Sequence, residues 1–154
     1  MNSPATTLTP SREAAIEAIV SAEGGSFEAP IGGGANEAVI DAATRIARIA
    51  ERRLVVVTTP TLRAASKDLV VRHGGQRYDI MTPRAILDDP EHLDGAVVAV
   101  LVDLPSASTP TGAALQLVVD RSESLVFVEG PRNAELFAPR MKRDQLARTV
   151  AAAA

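Results

Sequence analysis

Apolar positions along this chain alternate between two kinds of spacing. From Asn36 to Arg52, Val39, Ile40, Ala43, Ile46, Ala47, Ile49 and Ala50 recur about every 3.6 residues, which predicts a long amphipathic helix. "LVVVTT" (54–59) and "AVVAVLVD" (96–103) instead run unbroken and β-branched, as strands buried on both faces do. "SLVFVEG" (124–130) reads as a further strand, with "SFEAP" (26–30) and "RYDIMT" (77–82) as weaker candidates. Helical spacing returns at 12–23, 62–73 and 109–120, in the short "PRAILDD" (83–89), and from Pro139 onward. Ser11 is a cap for the first of these helices, with Gly24-Gly25 as its stop; Gly74-Gly75 stops another.

Strands alternating with helices predict an α/β fold: a mostly parallel sheet with helices on both faces, in three layers. A loose arm of residues 1–11 precedes a single domain at 12–150, and residues 151–154 form an alanine tail. The chain of 154 residues is long enough for one real core. In such sheets ligands gather at the carboxyl ends of the strands, here the loops after Ala29, Thr59, Asp103 and Glu129.

Those loops carry the candidate chemistry. "APIGGGANE" (29–37) places Gly32, Gly33 and Gly34 between a strand and a helix, where backbone N–H groups cradle phosphates in many proteins. A working phosphate loop also needs a lysine and a magnesium-binding hydroxyl. Ala35 and Asn36 stand in those places, and Glu37 adds a carboxylate to the first turn. The glycines thus either shape a turn or keep a weak anion nest. A dinucleotide fingerprint would need glycine at Glu37 and an acid after the second strand, and has neither. Asp103 ends the strongest strand, where it either holds a cation or caps the loop; its follower, Leu104, takes no proton.

Taken in order, "LTPSREAAIEAIV" (8–20), "APIGGGANE" (29–37), "LVVVTTPTLRAA" (54–65), "AVLVDLPSA" (99–107) and "LVFVEGPRNAEL" (125–136) resemble the successive motifs of one family. It is the first RecA-like domain of superfamily-one helicases of the RecD kind, and the helicase portion of TraA/MobF-type conjugative relaxases. The resemblance implies a RecA-like P-loop NTPase fold. It also implies lost catalysis, because lysine, hydroxyl and glutamate have become Ala35, Asn36 and Leu104, and the phosphate-sensing glutamine has become Asn133. The family faces DNA with the segment that holds Thr59, Thr61 and Arg63 here.

Composition narrows the rest. Aromatic residues make up 3% and the formal net charge is −3, so neither stacking platforms nor a global field draws nucleic acid to the chain. Any DNA contact must be local, and the arginines at helical spacing, Arg45, Arg48 and Arg52, offer such a face if they are not simply solvated. The absence of cysteine, of a secretory signal and of a long apolar run makes a cytoplasmic protein, away from membranes, the expectation. The sequence therefore predicts a pseudo-ATPase that binds protein partners, with weak single-stranded DNA contact, no metal, and ATP or magnesium at most weakly. A residual ATPase fragment completed by a partner, and a purely structural or oligomerising protein, are the alternatives.

Overall fold

The computed structural model describes residues 12–28, 35–101, 110–129 and 131–141. In chain order the elements are α1 (Arg12–Ala22), β1 (Gly25–Glu28), α2 (Ala35–Ala50), β2 (Leu54–Val57), α3 (Arg63–Arg72), β3 (Tyr78–Met81), α4 (Pro83–Asp88), β4 (Val97–Val100), α5 (Pro110–Arg121), β5 (Ser124–Glu129) and α6 (Pro131–Phe137). Short 3-10 turns occupy Pro60–Leu62, Pro90–Leu93 and Ala138–Arg140. The five strands form one sheet in the order β1-β5-β4-β2-β3, every pair parallel. The architecture is α/β and compatible with a RecA-like three-layer fold.

Parallel strands need both faces covered, and the side-chain alternation shows how. Leu54, Val56, Val97, Ala99, Val126 and Val128 point to one face, where α1 and α2 bring Ile16, Ile19, Val39, Ile40 and Ile46, and α3 brings Val70. Val55, Val57, Val98, Val100, Leu125 and Phe127 point to the other, against Ile86 of α4, Leu115 and Val118 of α5 and Phe137 of α6. Each fully buried Val, Leu or Ile contributes roughly 1.5–3 kcal/mol. The chain moves across the sheet from β1 to β2 to β3 with α2 and α3 on the first face. It returns through β4 to β5 with α4 and α5 on the second. A change of face where direction reverses is what a single crossover hand demands.

Helix α2 lies at the centre of the first layer, touching α1, α3 and four of the strands. Its alanines 35, 38, 42, 43 and 47 are all buried, and such small side chains let it sit close to the sheet between its neighbours. Three helices end in the same hydrogen-bonded cap. In α3 the left-handed position is Gly74 (φ 85°), with Gly74 N–H bonded to Val71 O and Gly75 N–H to Val70 O. In α1 and α2 the same place is taken by Glu23 (φ 60°) and Glu51 (φ 55°), so Gly24-Gly25 follows the stop rather than making it.

Helix α6 is an element the periodicity does not show: seven residues opening on Pro131, anchored by Phe137, whose ring centroid lies 5.1 Å from that of Phe127. Where a final helix is expected from Pro139, the described residues form the 3-10 turn, and 142–154 lie outside the described set. Gly75 packs so tightly that a Cβ there would sit 2.4 Å from Val70 Cγ1 and 3.1 Å from Val70 O. Gly75→Ala should therefore destabilise the fold by about 1–3 kcal/mol, read as a lower urea midpoint at unchanged slope.

Candidate functional site at the strand carboxyl ends

The sheet has a switch point between β2 and β4. The connection from β2 leaves with α3 on one face, and that from β4 leaves with α5 on the other. The candidates Gly32, Gly33, Gly34 and Asp103 lie outside the described residues. Ala35 and Asn36 open α2. Ala35 is 3% exposed and belongs to the hydrophobic core, and Asn36 is half-buried.

Glu37 in that first turn is tied to another helix. Its Oε2 lies 3.0 Å from His73 Nε2 and 3.9 Å from Arg72 Nη1 at the end of α3. His73 Nδ1 also faces Asp41 Oδ2 at 3.6 Å. Asp41 in turn accepts from Arg45 Nε at 2.8 Å, and Arg45 makes a two-armed contact with Glu13 at 2.6 and 2.9 Å. A polar edge along α2 thus laces α1, α2 and α3 together. The hydrogen bond from Arg45 holds the Glu13 carboxyl below its ordinary range, and the bond to Glu13 raises the guanidinium of Arg45 further still.

The arginine face therefore divides. Arg45 is engaged in this network, whereas Arg48 and Arg52 extend into a cavity beyond the last turn of α2. In the loop after β2, Thr59 precedes the 3-10 turn and its carbonyl accepts from Leu62 N–H at 3.1 Å. Thr61 and Arg63 are exposed; Arg63 lines an open groove with Lys67, Gln76 and Tyr78. Thr58 was not singled out by any motif. It is fully buried at the carboxyl end of β2, and its hydroxyl has no hydrogen-bond partner among the described residues. The only sequence sign is a polar residue closing an apolar run.

Two further places have structural explanations. Asn133 is fully buried and donates from Nδ2 to Val128 O at 2.9 Å, fastening α6 to β5. In the acidic stretch 88–94, His92 lies 3.0 Å from Asp89 and Asp94 lies 3.3 Å from Arg121. A hydrogen bond with Asp89 pushes the exposed Glu91 carboxyl upward. Among the described residues no three His, Asp or Glu side chains are placed to hold a metal ion.

Two measurements follow from this geometry. Because the folded state lowers the Glu13 pKa, its contribution to stability is present above the ordinary value of 4.5 and is lost as pH falls through the lowered value. Glu13→Gln should flatten the pH dependence of the melting temperature in that acid window. Thr58→Val removes a buried, unpaired hydroxyl at nearly constant shape and should raise stability by about 1 kcal/mol in urea titration.

No protein-family model matches the chain, and no curated protein matches it.

Proposed function

We propose that this chain is a non-hydrolysing, RecA-like module that acts by binding partners in DNA processing. The observation that carries the reading is the opening turn of α2. Where the resembling helicases place a lysine for the outer phosphates, Ala35 puts a methyl group into the core. The carboxylate of Glu37, already satisfied by His73, stands at the helix end that would otherwise favour an anion. A charge-assisted hydrogen bond is worth about 1.5–3 kcal/mol, so loss of the lysine alone weakens triphosphate binding by at least about tenfold.

The resemblance assigns the module to mobile-element or phage machinery, with a protein as its main partner. Single-stranded DNA contact fits the exposed Thr61 and Arg63 beside Thr59. A second reading, a residual ATP-binding fragment completed by a partner, is favoured by the unpaired Thr58 hydroxyl at the ligand end of the sheet.

Titration with a fluorescent ATP analogue and magnesium should show no binding tighter than about millimolar that Asp103→Ala removes. Micromolar binding that is lost on Asp103→Ala, or turnover of ATP by the isolated chain, would overturn the first reading in favour of the second.

A further inference from the structure

A concave site lies past the last turn of α2, beside the starts of β2 and β3. It is a cavity of about 330 Å³ lined by Thr44, Arg48, Arg52, Gly75, Gln76 and Arg77, with Ala47, Glu51 and Leu54 completing the wall. The pairing of β2 with β3 creates it. Leu54 stands opposite Tyr78, which brings the residues just before β3 against the last turns of α2.

Three guanidinium groups meet here, and their states differ. Arg52 is partly committed: Nη1 donates to Gly95 O at 3.0 Å and Nη2 lies 3.8 Å from Glu123. Arg48 rests its head over the Gly74 turn, where a Cβ would come within 3.2 Å of Nη1. Among the described residues, neither Arg48 nor Arg77 has an ion pair or a side-chain hydrogen bond. Among the described residues Glu51 is the only carboxylate in the lining, and it lies in no ion pair with them. The cavity is thus locally cationic on a chain of net charge −3.

The end of a helix ordinarily repels anions through its free carbonyls. At α2 two of them are already bonded: Arg48 O accepts from Glu51 N–H at 3.3 Å, and Ala47 O from Arg52 N–H at 2.9 Å. Arg48 comes from α2, and Gln76 and Arg77 from the approach to β3, so donors reach the cavity from two elements. A planar carboxylate accepts mainly in its own plane, whereas a tetrahedral phosphate accepts on every side, and guanidinium groups suit it well.

From this geometry we infer a phosphate-binding site formed by Arg48, Arg77 and Gln76, with Arg52 buttressing it. The site is separate from any nucleotide at the strand carboxyl ends and stands whether or not ATP binds there. The phosphate has two sources: a free nucleotide, or the backbone of a nucleic-acid strand. Gln76 also borders the adjoining groove of about 780 Å³, which holds Arg63, Lys67 and Tyr78 and gives a strand somewhere to continue.

The test uses the full chain in magnesium-free, low-salt buffer, with adenosine monophosphate in equilibrium dialysis and a labelled oligothymidylate in fluorescence anisotropy. Arg48→Gln and Arg77→Gln should each weaken binding about tenfold or more. Arg84→Gln, an exposed charge loss on α4 across the sheet, should leave it unchanged. Parallel loss in both assays identifies a site for any phosphate group; loss with the oligonucleotide alone identifies a strand's diester, and loss with the mononucleotide alone a free nucleotide. Absence of saturable binding of either probe, or an equal effect of Arg84→Gln and Arg77→Gln, overturns the site. Unchanged melting temperatures verify folding, and because the Arg77 side chain is exposed and lies outside the regular elements, its variant carries the test if Arg48→Gln does not fold.

Discussion

An all-parallel sheet has no wet face, and most of this molecule follows from that constraint. The central strands β2 and β4 are apolar on both sides and must be sandwiched, so the six helices divide three and three between the faces. With both faces consumed by packing, chemistry is confined to the two rims where chain enters and leaves the strands. The carboxyl rim holds the opening turn of α2 and the switch point between β2 and β4. The opposite rim holds the arginine cavity.

Helix α2 connects those rims, and its polar residues are sorted by what lies beside them. At its start, Glu37 is drawn to His73; midway, Asp41 and Arg45 bind one another and reach to α3 and α1; past its middle, Arg48 has no ion pair among the described residues, while the following Arg52 reaches Gly95 O and Glu123. The same residue type at helical spacing is a brace at one position and a free donor at the next. The difference is set by whether a carboxylate is within reach.

Much of the architecture could be read from residue order. The unbroken run in β4 and the stripe of α2 each admit one interpretation, because a buried strand and a half-buried helix place opposite demands on apolar spacing. Helix α6 escaped because Pro131 follows β5 almost directly, so its seven residues, PRNAELF, read as the loop leaving a strand. The sites were less legible. Ala35, Asn36 and Glu37 stood out because a familiar loop lacked its charges. Arg77 belongs to no stripe and gains meaning only when β3 pairs with β2. Thr58 looks like any strand-ending threonine until it proves to be buried with no hydrogen-bond partner for its hydroxyl among the described residues.

The glutamates that close α1 and α2 in a left-handed conformation have one more implication. A side chain there costs conformational energy that glycine avoids, and α3 shows that the chain uses glycine in the equivalent place. Neither Glu23 nor Glu51 is part of the core. The molecule therefore holds a reserve of thermal tolerance at peripheral positions, open to adaptation toward a hotter environment without disturbing its interior.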